Sequence, residues 1–141
     1  MAIKQISVYV ENKMGKLHDM VKEVSDADIN IRASMIADTA EFGIFRMIVS
    51  DTDKALRILS EKSMVNITKV VAVKMEDKTG SLTKVLSILK DAAISVEYMY
   101  AFAGAAELGA YVVLRVNNAE AAEKLLNANG ISTLNDEDIA L

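Results

Sequence analysis

The sequence has no cysteine, no proline, a single histidine and only seven aromatic residues, three Phe and four Tyr. The missing cysteines exclude a disulfide framework and thiolate metal sites, and they fit a reducing compartment. No apolar run approaches the ~18 residues that read as a membrane span. The opening Met1-Ala2-Ile3-Lys4-Gln5 lacks the sustained apolar core of a signal peptide, so a cytoplasmic protein without a membrane partner is expected. Positive charge is also scarce: the formal net charge is −4. Residues 1–69 balance, with ten basic and ten acidic side chains, whereas residues 70–141 carry six against ten. That is no basic footprint for nucleic acid. Reading RNA on a sheet face would need aromatics among basic residues, and the strand richest in tyrosine, with Tyr98 and Tyr100, lies in the acidic half.

What is present is a repeat. Glu11-Asn12-Lys13-Met14-Gly15-Lys16-Leu17 returns 65 positions later as Glu76-Asp77-Lys78-Thr79-Gly80-Ser81-Leu82. Asp26-Ala27-Asp28-Ile29-Asn30-Ile31 returns at the same offset as Asp91-Ala92-Ala93-Ile94-Ser95-Val96. Two matches at one spacing indicate a duplicated unit and predict two domains, residues 1–69 and 70–141. Each is near the lower size limit for an independent core. With 52% hydrophobic and 26% charged residues, the composition is that of a folded, soluble chain.

Both copies of the motif sit between a strand and a helix. Ile6, Val8 and Val10 alternate before the first, as do Val71, Val73 and Met75 before the second. Leu17, Met20, Val21 and Val24 then follow helical spacing, as do Leu82, Val85, Leu86 and Leu89. The predicted order is strand 4–10, helix 16–26, strand 29–37, turn 38–41, strand 42–49, helix 52–62 and strand 65–68. The second copy gives strand 69–75, helix 81–92, strand 94–102, turn 103–107, strand 109–116, helix 119–127 and strand 131–134. Gly43 aligns with Gly109, which makes the second hairpin one residue longer. The fold class is therefore α+β: two ferredoxin-like βαββαβ units, each an antiparallel sheet with both helices on one face. That fold alone settles no function. No linker rich in Pro or Gly separates the halves, which predicts rigid docking. Exposed sheet edges need covering, which predicts a homodimer.

A strand–Gly loop–helix element leaves the first N–H groups of the helix open to a carboxylate or phosphate. The loop residues Asn12, Lys13, Met14, Gly15, Lys16 and Leu17, and Asp77, Lys78, Thr79, Gly80, Ser81 and Leu82, are thus candidate binding residues. The plain alternative is a strand-to-helix turn whose glycine only supplies positive φ. His18 stands alone, reads as a surface or helix-terminus residue and has Thr83 in its place in the second copy. Lys78-Thr79-Gly80 with Ser87-Ile88-Leu89-Lys90 has the wrong order for penicillin-binding enzymes. Gly104 and Gly109 have P-loop spacing, but Ala110-Tyr111 follows where Lys-Ser/Thr is required. No catalytic residue, cofactor or metal site is expected.

The loop motif followed by Ile29-Asn30-Ile31 at the next strand resembles an ACT domain, twice and over nearly the whole chain. ACT domains are small sensor modules of βαββαβ order that commonly bind amino acids and regulate enzymes or transcription factors of amino-acid metabolism. Their loop pattern is roughly Asn/Asp-x-Pro-Gly-x-Leu. Asn12 and Asp77 hold its polar place, Gly15 and Gly80 its glycine, Leu17 and Leu82 its leucine. The proline is replaced by Met14 and Thr79, which removes a source of loop stiffness. The resemblance implies sheets joined edge to edge through their second strands, with ligand at the seam. It also implies that the loop residues act with strand-entry residues: Asn12 with Asn30 and Asp77 with Ser95, or Asn12 with Ser95 and Asp77 with Asn30 across the seam. An Asn amide can both donate to a carboxylate and accept from an ammonium, whereas an ionised Asp only accepts, so the two sites should be unequal. The implied partners are a free amino acid and a regulated enzyme. The competing expectation is a regulatory subunit that binds a protein and no metabolite.

Overall fold

The computed structural model describes residues 2–38, 41–102 and 110–140. The expected turns at 38–41 and 103–107, and the Gly104–Gly109 spacing, fall wholly or partly outside them. The order is β1 (Ile3–Glu11), α1 (Lys16–Asp26), β2 (Ile31–Asp38), β3 (Phe42–Val49), α2 (Thr52–Ser60), β4 (Val65–Met75), α3 (Ser81–Asp91), β5 (Val96–Phe102), β6 (Ala110–Val116), α4 (Ala119–Ala128) and a last turn, α5 (Asp136–Ile139). Two compact βαββαβ units result. One contains Lys4–Thr68 with Ile139, the other Lys69–Asp138 with Ala2 and Ile3. β4 is one continuous strand, where two abutting strands were expected.

In the N-terminal unit β3 is the central strand, as its dense β-branched and apolar content suggests. It pairs antiparallel with β1, Ile6 opposite Met47, and with β2, Ile31 opposite Val49. Ile6, Val8, Val10, Phe45, Met47 and Val49 turn one sheet face toward Met20 and Val24 of α1 and Ala55 and Leu59 of α2. Helical periodicity and strand alternation thus meet in one core on a single face. The C-terminal unit repeats this around β6, which pairs with β4 and β5. There Val71, Val73, Leu114 and Val116 pack against Val85 and Leu89 of α3 and Ala122 and Leu126 of α4.

Several expectations are corrected. Met75 lies opposite Ala110, as Val10 lies opposite Gly43. Gly43 therefore corresponds to Ala110, not Gly109, and the second hairpin is longer by two residues. The chain at 131–134 forms no strand. Thr133 makes an isolated bridge to Val73, flanked by Lys74 N–H to Ser132 O (2.9 Å) and Leu134 N–H to Ala72 O (3.0 Å). The extension is cut short because Asn135 and Asp138 cap α5 reciprocally. Leu82 stays exposed instead of turning inward. α2 stops at Ser60, where Lys62 and Ser63 N–H both return to Leu59 O.

The ends of α1 and α3 fix where the next strand begins. Ile29 N–H reaches Val24 O (3.2 Å) and Asp28 N–H reaches Ser25 O (2.9 Å). Ile94 N–H reaches Leu89 O (2.9 Å) and Ala93 N–H reaches Lys90 O (3.0 Å). These are Schellman stops, whose hinge residue takes positive φ. Asp28 has φ 59° and Ala93 φ 58°. α4 ends the same way, but on Gly130, φ 77°. An alanine in this region is strained by its Cβ. Ala93→Gly should therefore raise the stability measured by urea unfolding by about 0.5–1 kcal/mol. Asp28→Gly should gain less, because Asp tolerates this conformation better.

Candidate functional site in the repeated loops

The two loops have one geometry. Lys16 N–H donates to Lys13 O (3.2 Å) and Ser81 N–H donates to Lys78 O (3.3 Å). The third residue of each turn is a glycine in the left-handed region, Gly15 at φ 82° and Gly80 at φ 90°. Met14 and Thr79, at the second position, are not in that region. This combination is a type II turn, which requires positive φ at its third position and accepts proline at its second. So the family's proline falls where a fixed φ suits the turn, and Met14 and Thr79 keep the turn without it. Ion pairs from Lys13 to Glu11 (3.1 Å) and Lys78 to Glu76 (2.8 Å) span the loops. Through these hydrogen bonds and their charges, Lys13 and Lys78 hold the Glu11 and Glu76 carboxyls below the usual range, and Glu76 raises Lys78.

Helix starts differ by position in the repeat. α2 and α4 are closed by side chains: Asp51 accepts from Lys54 N–H and Asn118 from Ala121 N–H, each at 3.1 Å. α1 and α3 have no side-chain cap. Lys16 and Ser81 N–H, expected to be free for ligand, are spent on the turn. The open donors are one residue further on, at Leu17 and His18 and at Leu82 and Thr83. His18 itself is exposed, with Nδ1 3.2 Å from the Asp19 carboxylate.

The strand-entry residues are held by backbone, which leaves their side chains exposed. Asn30 N–H donates to Ser50 Oγ and Ser50 N–H to Asn30 O, both at 2.9 Å. Ser95 N–H donates to Asn117 Oδ1 (3.1 Å), and Asn117 N–H returns to Ser95 O (3.3 Å). Asn12 is also exposed, with its N–H on Glu41 O (3.0 Å).

Three cavities border these elements. One of about 380 Å³ in the C-terminal unit is lined by Lys78, Thr79, Gly80 and Ser81 together with Lys74 and Lys84. One of about 210 Å³ in the N-terminal unit takes in Lys16, and another of about 530 Å³ takes in Asn30. Asn12, Lys13, Met14, Gly15, Leu17, Asp77, Leu82 and Ser95 line none of the three. Of these three cavities, none brings Asn12 and Asn30 together. Lys74 and Lys84 are additions. Comparing charge between the copies would have found them, since they replace Tyr9 and Asp19 at the repeat offset. No helix among the described residues is long and apolar enough to cross a membrane.

Comparison with known proteins places this geometry. The family model described as an ACT domain pair matches residues 1–141. The crystal structure of protein BT0572 from Bacteroides thetaiotaomicron is 37% identical, with a TM-score of 0.90 over 99% of this chain and 96% of that one. The regulatory subunit of aspartate kinase from Thermus thermophilus, in ligand-free form, shares the fold at 14% identity. Its TM-score is 0.66, over 92% of each chain. The corresponding Thermus flavus subunit gives 11% identity and 0.62, over 91% of this chain and 92% of that one. No curated protein matches.

Two substitutions test the turn. A Cβ on Gly15 or Gly80 would meet nothing within 4 Å. Gly15→Ala and Gly80→Ala should nevertheless cost about 1–2 kcal/mol each in urea unfolding, through backbone strain alone. Met14→Pro and Thr79→Pro should instead stabilise by about 0.4–1 kcal/mol, because proline restricts only the unfolded chain there.

Proposed function

The chain belongs to the ACT domain pair family, and from that premise we propose that it is a non-catalytic regulatory protein that binds a free amino acid. Binding uses the loop residues Asn12 and Asp77 and the strand-entry residues Asn30 and Ser95, and it modulates a partner enzyme of amino-acid metabolism. The observation that carries this reading is the selective openness of α1 and α3. Both units cap their second helix with a side chain and leave the first uncapped. Uncapped N–H groups over a glycine turn receive a carboxylate well. Exposed Asn12 and Asn30 can address both ends of an amino acid, while Asp77 suits its ammonium group. The aspartate kinase regulatory subunits share the fold, which agrees with a regulatory role.

A ligand with differential affinity for two arrangements of the protein shifts their populations and so reaches a partner. The ion pairs Glu11–Lys13 and Glu76–Lys78 occupy charge that would otherwise compete for the ligand, so neutral polar side chains are left to select it.

Thermal unfolding in the presence of each of the twenty amino acids tests the proposal. One amino acid, or a chemically related few, should raise the melting temperature. At 100 times Kd the stabilisation is about 2.7 kcal/mol, a rise of several degrees. Asn12→Ala and Asp77→Ala should each shrink it. A melt unchanged by all twenty would reject the amino-acid reading and leave a regulatory subunit that recognises protein alone.

A further inference from the structure

The two copies of the loop cavity have the same walls and opposite charge. In the C-terminal unit the cavity of about 380 Å³ lies between the end of β4, the first turn of α3 and the chain at 130–132. It is lined by Lys74, Lys78 and Lys84 against one carboxylate, Glu76. In the N-terminal unit the matching cavity of about 210 Å³ has Lys16 and Lys62 against Glu11, Asp19 and Glu23. There Lys62 is paired with Glu23 at 3.1 Å. Lys78 is likewise spent on Glu76 at 2.8 Å, but neither Lys74 nor Lys84 forms an ion pair among the described residues. Three ammonium groups around one carboxylate leave an excess of two positive charges.

A second, independent feature lies in the same wall. Ser81 is half-buried, and its Oγ is shut off from solvent with no hydrogen-bond partner among the described residues. Buried polar atoms are normally satisfied, so each exception asks for an explanation. Beside it, the uncapped first turn of α3 leaves Leu82 and Thr83 N–H open. An oxyanion seated there would accept from the helix N–H groups while two unpaired lysines neutralise it, and the Ser81 hydroxyl reaches it only by rotating about χ1 into the cavity that its residue lines. Lysine binds phosphate as a point charge, and two of them match the double charge of a phosphomonoester.

We propose that the C-terminal unit holds a site for a small dianion of the phosphomonoester class, formed by Lys74, Lys84, Ser81 and the open first turn of α3. The N-terminal copy, with its carboxylate excess, does not bind it. The site shares Lys78–Ser81 with the amino-acid reading but does not require it, since Asn12 and Asp77 do not line this cavity. Ligand here would add a second signal to the regulation of the partner.

Titration of the full chain with inorganic phosphate at constant ionic strength, followed by amide NMR, tests this. Saturable shifts should appear at Ser81, Leu82, Thr83 and residues 130–132, and not at Lys16, Leu17 and His18. Lys84→Gln, at an exposed position, should weaken the affinity about tenfold. Asn12→Ala, a neutral change in the other unit, should leave it unchanged, which separates failure here from failure of the amino-acid reading. Absence of saturation, equal shifts in both loops, or an affinity indifferent to Lys84→Gln would overturn the proposal. Tighter binding of succinate than of phosphate would overturn the assignment to phosphomonoesters.

Discussion

The first helix of each unit is held between two residues of positive φ, and the rest of the unit depends on that bracket. Gly15 and Asp28 bound α1; Gly80 and Ala93 bound α3. The entry glycine turns the chain sharply off the strand, so that the helix starts directly above the strand end. The exit residue reverses it, so that Ile29 or Ile94 drops back into the core beside the last turn. Between these points the helix has one length and one orientation. Met20 and Val24, or Val85 and Leu89, therefore face the sheet. The next strand then begins at a defined place, and the Asn30 or Ser95 backbone is latched to the residue that follows the third strand.

Backbone and side chain have diverged at different rates between the two copies. The type II turn, the paired Glu and Lys across it, the Schellman stop and the strand-entry latch are all present twice. The latch even survives a change of chemistry, with the Ser50 hydroxyl serving in one unit and the Asn117 amide in the other. The cavity walls were freer, because Tyr9, Asp19, Lys74 and Lys84 project from elements whose buried faces are already committed. A duplicated scaffold of this kind lets one copy change its ligand chemistry while its fold is unaffected.

Much of this was legible in the residues. Strand alternation and helical spacing located β1, α1, β3 and α3 to within a residue or so, and the two loop glycines marked the turns. Ala93 was not legible as a left-handed residue, because alanine carries no local preference for that region and only the returning hydrogen bonds hold it there. The chain at 131–134 has the composition of a strand, but α5 captures it after a single bridge. Gly109 looked like the partner of Gly43 because both are glycine. Register alone shows that Ala110 occupies the place. The candidate site was legible as a pair of loops but not as cavities. Lys74 and Lys84 come from different elements, and only the folded C-terminal unit brings them to one wall beside Ser81.

Without proline and without a side-chain cap, the glycine turn of each loop is closed by the backbone hydrogen bond from Lys16 N–H to Lys13 O or from Ser81 N–H to Lys78 O. Exposed turns of this kind open at the low end of the free-energy scale of local unfolding. The Lys16 and Ser81 amides are therefore built-in clocks. Their hydrogen–deuterium exchange counts how often each loop comes apart, separately for the two copies and without any label. Anything that settles over one loop slows that clock and leaves the other running.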